Sequence, residues 1–180
     1  MKMLNLTATR RKALCLLLIA AVSPWVAAHG PTRQKVVETI EIEAPAEKVW
    51  ALVGDYGGWH KWHPAIENTT VDKVNEVGSV RHLSIKGGKY LDETLEAYDP
   101  AAMSIKYRIK AGDALPVTNY SSTIVVTSKG TKCSVEWRGA FYRGFPNNDP
   151  PPDQNDEAAV AAVTGVYKSG LSNLKAVAEK

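Results

Sequence analysis

Cysteine is scarce in this sequence, and the motifs that usually hold metals or cofactors are missing. Two cysteines occur in 180 residues, and the first lies in an N-terminal segment that we predict is removed. The remaining thiol cannot form an internal disulfide, and we interpret Cys133 as a buried apolar side chain. No paired-cysteine motif, HExxH motif, P-loop, dinucleotide-binding glycine fingerprint or nucleophile elbow occurs. We therefore predict no cofactor and find no apparatus for covalent, phosphoryl-transfer or hydride-transfer chemistry.

Long apolar runs are also absent, apart from one near the N-terminus. Four basic residues precede the apolar run Ala13–Val22, and small residues follow at Val26 and Ala28. This order is typical of a secretory signal peptide, and the run is too short to remain as a membrane anchor. We therefore predict a signal peptide over residues 1–28, one exported domain over residues 29–180, and no membrane insertion after cleavage.

A net positive charge is lacking from the predicted mature chain. The whole sequence has 22 Lys and Arg residues against 19 Asp and Glu residues, a net charge of +3. Without the four basic residues of the signal peptide, 18 basic residues face 19 acidic ones, for a net charge near −1. No basic block remains, so we do not expect a nucleic-acid partner.

Alternating apolar and polar residues predict a sheet of seven strands. Strands are expected at Lys35–Glu43, Ile66–Val74, Val80–Ile85, Leu91–Tyr98, Met103–Ile109, Asn119–Thr127 and Cys133–Arg143. The separators carry glycine, proline and asparagine, which favours antiparallel pairing over alternating strand and helix units. Between the first two strands, Pro45 and the spacing of apolar residues predict a helix to Tyr56, followed by a short helical turn over Trp59–Trp62.

A long C-terminal helix is predicted from Asp156 to Glu179. Acidic residues at its start, lysines near its end and one apolar stripe support it, whereas Gly165 and Gly170 weaken it. A sheet with one apolar face needs a cover, and this helix is the one predicted element long enough to provide it. The preceding loop, 145–156, is interpreted as a plain connector, with an acidic contact for a basic partner such as a cytochrome as the alternative.

Several runs of sequence resemble a known superfamily. GDYGGWHKWHPAIEN, VGSVRHLSIKGGKYLDETLEAYDP and GLSNLKAVAEK are similar to the polyketide cyclase and lipid-transfer branch of the START/Bet v 1-like (SRPBCC) proteins. The segment HGPTRQKVVETIEIEAPAEKVW resembles MxaD-type proteins of methylotrophic bacteria. The resemblance covers essentially the whole mature chain, and its motifs are structural and not catalytic.

The resemblance implies an α+β helix-grip fold. In it, a seven-stranded antiparallel sheet wraps around the long C-terminal helix, with two short helices after the first strand. It also implies that the protein is a periplasmic accessory protein and not an enzyme. In this role it helps methanol dehydrogenase pass electrons to its cytochrome c. A bent sheet that grips one helix often leaves an apolar hollow at its mouth, so a small hydrophobic ligand is a further expected partner.

The sequence indicates which side chains face this hollow. If Leu83 and Leu91 share the inner face, the Gly87-Gly88 hairpin has an odd loop length, and Arg81 and Glu93 point inward too. We favour an ion pair that closes the cavity, because an unpaired inward charge is costly, over a polar anchor for a ligand or an acid/base group. The predicted cavity residues are Trp50, Trp59, Trp62, Arg81, Glu93, Tyr107, Trp137, Phe141, Val163 and Tyr167.

Histidines offer one further hypothesis. His60 and His63 are three residues apart and could coordinate one metal ion. After cleavage, His29 would be the N-terminal residue, and its amine and imidazole could coordinate copper. We favour instead an arrangement in which Trp59 and Trp62 pack over the cavity mouth and the two internal histidines are partly exposed.

Three functions therefore follow from the sequence. The first is the accessory role in methanol oxidation, and the second is a periplasmic carrier of a small hydrophobic ligand. The third is an enzyme of the cyclase or hydratase kind that uses Arg81 and Glu93 with a histidine.

Overall fold

The computed structural model describes residues 30–180 of the chain. The predicted signal peptide and His29 lie outside the described residues, so both stay predictions. The described elements, in chain order, are β1 (Gln34–Ile42), α1 (Ala46–Val53), a 3-10 helix (Trp59–Lys61), β2 (Ile66–Val71), β3 (Val80–Ile85), β4 (Lys89–Asp99), β5 (Ser104–Gly112), β6 (Val117–Lys129), β7 (Lys132–Arg143) and α2 (Asp156–Ala178).

The seven described strands form one antiparallel sheet. Their order is β1-β7-β6-β5-β4-β3-β2, so β2 to β7 form a meander and β1 joins its far edge. β1 pairs with β7 along its whole length, from Gln34 opposite Phe141 to Ile42 opposite Cys133. Because β1 and β2 lie at opposite edges, α1 and the 3-10 helix cross from one edge of the sheet to the other. The α+β helix-grip prediction is confirmed.

Element boundaries differ from the prediction where backbone conformation interrupts the pattern. α1 ends at Val53 and not at Tyr56, and Gly54 is its C-cap residue. β2 ends at Val71, before Asn75 adopts a φ of 54° in the turn to β3. β6 extends beyond both predicted ends, although Asn119 has a φ of 50° and a register shift between Thr118 and Ser121 breaks its pairing.

α2 covers the concave side of the sheet and packs against β1 and β7. Its N-cap is Asn155, whose side chain accepts a hydrogen bond from the Ala158 N–H at 2.7 Å. Near its C-terminus, the Lys175 ammonium donates to the Glu41 carbonyl at 2.7 Å. The predicted amphipathic stripe is confirmed: the helix buries Ala159, Val163, Tyr167, Gly170, Leu171, Leu174 and Ala178.

The loop before α2 is anchored to the sheet. Arg143 is buried, and its guanidinium donates to the carbonyls of Phe145 and Asn147 at 3.1 and 3.0 Å and to Asp156 at 3.2 Å. These bonds support the interpretation of the loop as a connector. Cys133 is a free, fully buried thiol, as predicted, and burial raises its pKa. Among residues 30–180, no helix is long and apolar enough to span a membrane.

Candidate functional site

A small cavity lies between the sheet, the 3-10 helix and α2. Its volume is about 70 Å³. Its rim consists of partly buried residues of the β3–β4 hairpin, the β5–β6 connection and α2. The lining residues are Trp59, His63, Ala65, Ile66, Leu83, Ile85, Leu91, Glu93, Tyr107, Ala114, Leu115, Tyr120, Trp137 and Val166. The walls are therefore mostly aliphatic and aromatic, with few polar groups.

The predicted ion pair lies against this cavity. The connection between β3 and β4 contains three residues, 86–88, so the loop length is odd, and Arg81 pairs with Glu93 across the two strands. The Arg81 Nε and Nη2 atoms both donate to Glu93 Oε2, at 2.8 and 2.6 Å, and Nη1 donates to the Tyr56 carbonyl at 3.1 Å. The side chains are 0% and 4% exposed. The structural interpretation, an ion pair, is the one that the geometry supports.

Aromatic rings surround the buried guanidinium. The Arg81 Cζ atom lies 3.7 Å from the ring centroid of Trp59 and 4.1 Å from that of Tyr56. The π faces stabilise the cation in a site without water. Burial raises the pKa of the Glu93 carboxyl, and the charge and hydrogen bonds of Arg81 oppose that shift.

The two tryptophans of the 3-10 helix region are buried and do not lie over the mouth as predicted. Trp59 and Trp62 are 2% and 1% exposed, and their ring centroids are 5.0 Å apart. The indole N–H groups donate to the carbonyls of Val53 and Leu52 at 3.0 and 3.1 Å, at the end of α1. These bonds fix both rings inside the core, because a buried indole N–H needs an acceptor.

A network of hydroxyl groups crosses β5, β6 and β7 behind the cavity. The Trp137 indole N–H donates to Tyr107 Oη at 3.0 Å and to Ser122 Oγ at 2.9 Å. Ser122 Oγ donates to the Arg138 carbonyl at 2.9 Å. Tyr167 Oη lies 2.8 Å from Ser122 Oγ and 2.7 Å from Tyr120 Oη. The network joins α2 to three strands through polar groups that the core excludes from water.

His63 is 4% exposed, so the prediction that it is partly exposed was wrong. The Ala65 N–H lies 3.3 Å from His63 Nδ1, and His63 Nε2 lies 3.3 Å from the Val166 carbonyl. This arrangement is that of a neutral imidazole with its proton on Nε2. Burial lowers the pKa of His63 to about 4. His63 is buried because α2 passes directly over it, which a pattern of local sequence does not reveal.

The alternative of a metal shared by His60 and His63, which the sequence did not favour, is not supported by a ligand cluster. Across residues 30–180, no group of three or more histidine, cysteine, aspartate or glutamate side chains could hold a metal ion. His63 uses both ring nitrogens on the backbone, and His60 Nδ1 is buried without a partner.

Nine of the ten predicted cavity residues fall into two groups. Four line the cavity: Trp59, Glu93, Tyr107 and Trp137. Five are buried behind the lining: Trp62, Arg81, Phe141, Val163 and Tyr167. The tenth, Trp50, is not part of the lining: it is partly buried and packs against the core, with its ring centroid 5.6 Å from that of Tyr98.

Sequence reasoning missed several lining residues. Ala114 and Leu115 lie in the β5–β6 connection and form part of the rim. The sequence could have indicated these two residues, because a loop exposed to water is normally polar, and two apolar residues in a loop suggest that they are partly buried. His63 and Tyr120 had no such signal, since only the packing of α2 and β6 turns them toward the cavity.

Comparisons with known proteins identify the family of the chain and relatives with the same fold. A family model described as polyketide cyclase / dehydrase and lipid transport matches residues 33–179. An uncharacterised protein from Bacillus thuringiensis, known from its crystal structure, is 31% identical, with a TM-score of 0.69 over 82% of this chain and 100% of that one. The abscisic acid receptor PYL7 of Arabidopsis thaliana is 27% identical over 77% of this chain and 65% of the receptor, slightly less than two thirds of its length.

A more distant solved structure shows the same fold. The Zhui aromatase/cyclase from a Streptomyces species is 18% identical, with a TM-score of 0.64 over 82% of this chain and 94% of that enzyme. The helix-grip architecture therefore occurs in an uncharacterised bacterial protein and in a cyclase.

Proposed function

Because the chain belongs to the polyketide cyclase/dehydrase and lipid transport family, we propose that it is a binding protein that holds a small, mostly apolar ligand in its cavity. The observation that carries this proposal is an apolar hollow with a buried carboxylate in its wall. A well-packed core leaves few such voids, and pockets of this composition are typical of ligand sites. The similarity to an abscisic acid receptor, a protein named for a small ligand, supports it.

The size of the cavity limits the ligand. A volume of about 70 Å³ corresponds to roughly two water molecules in the liquid. Pockets for drug-sized ligands measure about 300–1,000 Å³. We therefore expect either a ligand of a few heavy atoms or a longer molecule whose end enters the cavity while the rest lies in the mouth.

Native mass spectrometry after gentle extraction tests the proposal. We expect the wild-type protein to carry added mass, and Ala114→Trp to lose it, because an indole at the rim fills the entrance. Ala111→Trp is the matched control, since Ala111 is exposed on β5 and outside the cavity lining. A wild-type protein without added mass, or an Ala114→Trp variant that keeps it, would contradict the proposal.

We also propose the accessory role in methanol oxidation, in the periplasm, with methanol dehydrogenase and its cytochrome c as partners. The similarity of residues 29–50 and the run after them to MxaD-type proteins supports this role, as does the predicted signal peptide. The fold alone does not fix a function. Mixing the purified dehydrogenase and cytochrome with and without this protein measures the electron-transfer rate directly. An increased rate is expected, and an unchanged rate at physiological salt refutes the role.

Binding without catalysis is the third part of the proposal. The fold also occurs in a cyclase, and His63 and Glu93 line one cavity, as an acid/base mechanism would need. However, Glu93 is held by Arg81, and His63 bonds to the backbone with both nitrogens. The bonds that these two side chains make within residues 30–180 favour a structural role over proton transfer.

A further inference from the structure

We propose that the cavity selects a neutral ligand with a hydroxyl group, a small alcohol or phenol, which donates to Glu93 and accepts from Tyr107. This inference rests on the proposed function, because it assigns ligand chemistry to the same cavity. Two polar groups in the wall carry it, and each has hydrogen-bonding capacity that residues 30–180 do not use.

The first group is the outer oxygen of Glu93. Both Arg81 hydrogen bonds end on Oε2, and no donor among the described residues bonds to Oε1. The side chain lines the cavity and is 4% exposed. Because Glu93 lines the cavity and its Oε1 has no donor among the described residues, this atom is suited to accept a hydrogen bond from a ligand.

The second group is the hydroxyl proton of Tyr107. The Trp137 indole nitrogen is only a donor, so in the 3.0 Å contact between them the Tyr107 oxygen must accept. Besides Trp137, the Tyr107 hydroxyl has Ser122 as a hydrogen-bonding neighbour, and the Ser122 oxygen already accepts from the Trp137 indole and contacts Tyr167 at 2.8 Å. No unoccupied acceptor for the Tyr107 proton is therefore present among the described residues, although the side chain is buried and lines the cavity. Burial raises the pKa of Tyr107 well above its ordinary value, so the hydroxyl keeps its proton and remains a donor.

The neighbouring hydroxyl groups differ from Tyr107, because each has an acceptor within the protein. Ser122 has one proton and donates it to the Arg138 carbonyl. In the 2.8 Å contact the Tyr167 hydroxyl therefore donates to Ser122, and Tyr120 in turn donates to Tyr167 at 2.7 Å. Tyr107 is thus distinguished from Tyr120, the other tyrosine of the lining.

Charge determines that the ligand is neutral. Arg81 and Glu93 cancel each other, and the buried imidazole of His63 is neutral near pH 7. A charged ligand would enter this site without a counter-charge, and burying an unpaired charge is strongly unfavourable. A hydroxyl group supplies one donor and an acceptor without charge, which matches the two free positions.

The apolar walls and the limited volume set the rest of the ligand. The hydroxyl end enters first, and the carbon skeleton lies against Leu83, Ile85 and Leu115 toward the rim. Phenol and benzene are a matched pair of probes, because they share a ring and differ by the hydroxyl group alone. Benzoate adds a charge to the same ring.

Isothermal titration calorimetry with the mature protein provides the test. For the wild type we expect phenol to bind about tenfold more tightly than benzene, and benzoate to bind more weakly than phenol. Tyr107→Phe should remove most of the preference for phenol and leave benzene binding unchanged. This variant keeps the fold, because the Trp137 N–H still bonds to Ser122 Oγ at 2.9 Å.

Tyr90→Phe is the matched control, since it removes a tyrosine hydroxyl from a side chain that is 39% exposed on β4 and outside the cavity lining. Its preference for phenol should equal that of the wild type. Equal affinity for phenol and benzene, an unchanged preference in Tyr107→Phe, or tighter binding of benzoate would overturn this inference and leave the proposed binding function standing. If neither phenol nor benzene binds, this inference fails, and the added mass in native mass spectrometry decides the proposed binding function separately.

Discussion

At the scale of single residues, Arg81 shows how a charge is accommodated inside an apolar core. Its guanidinium is 0% exposed and satisfies Glu93 and one backbone carbonyl. The rings of Tyr56 and Trp59 replace the water that a cation would otherwise need. Removing one partner of such a pair typically costs about 3–5 kcal/mol, because the other charge stays buried. Glu93 is therefore a poor first target for mutagenesis, and Tyr107 a better one.

His63 is expected to make the stability of the protein depend on pH. Its pKa is about 4 in the folded protein, against an ordinary value of 6.5. The unfolded chain binds the proton more tightly than the folded protein. The contribution of His63 to the free energy of unfolding is therefore fully present above pH 6.5 and is lost as the pH falls toward 4. The loss is on the order of 3 kcal/mol at most. Urea denaturation at several pH values between 7 and about 4 measures it.

A glutamine at position 63 isolates this effect. His63→Gln does not titrate, and its amide can still donate and accept, so its free energy of unfolding should fall less steeply over the same pH range. His82→Gln is the control, because His82 is exposed on β3. Parallel pH profiles for the wild type and His63→Gln would contradict the assignment of the pH dependence to His63.

At the scale of elements, two glycines of α2 have opposite roles. A Cβ at Gly170 would lie 2.7 Å from the His63 ring and 2.8 Å from the Trp137 ring, both of which are buried. A Cβ at Gly165 would meet nothing within 4 Å. Gly170 therefore lets α2 approach the aromatic core closely, whereas Gly165 only weakens the helix.

Alanine substitutions should separate the two roles. Gly165→Ala is expected to stabilise the protein by about 0.5–1 kcal/mol through helix propensity. Gly170→Ala gains the same propensity but overpacks the core, at a cost of about 1–3 kcal/mol, so it should be neutral or destabilising. Urea midpoints of the two variants provide the comparison. A Gly170→Ala variant as stable as Gly165→Ala would show that the contact with His63 and Trp137 relaxes freely.

At the scale of the whole molecule, the fold depends on α2 as the cover of the sheet. Residues from Ala159 to Ala178 on one side of α2 are buried, and Tyr167 joins the network across β6 and β7. A chain that ends at Asn155 should therefore lose cooperative unfolding and its near-UV circular dichroism, since the apolar face of the sheet is exposed to water. Removing Lys180 alone, an exposed residue beyond the helix, is the control. Cooperative folding of the shorter chain would contradict this dependence.

Sequence by itself determined the strands, the covering helix and the inward direction of Arg81 and Glu93. Local periodicity fixes which face of a strand is apolar, and the odd length of the β3–β4 loop fixes the pairing of those two residues. These properties depend on neighbours within a few residues, so they can be read from the chain.

Only the tertiary structure decided the site itself. The burial of His63 depends on α2, more than a hundred residues later, and the free proton of Tyr107 depends on a contact with Trp137 across β6. The volume of the cavity depends on how the aromatic side chains of its lining pack together. Packing between distant elements sets these features, and the period of a single segment does not record them.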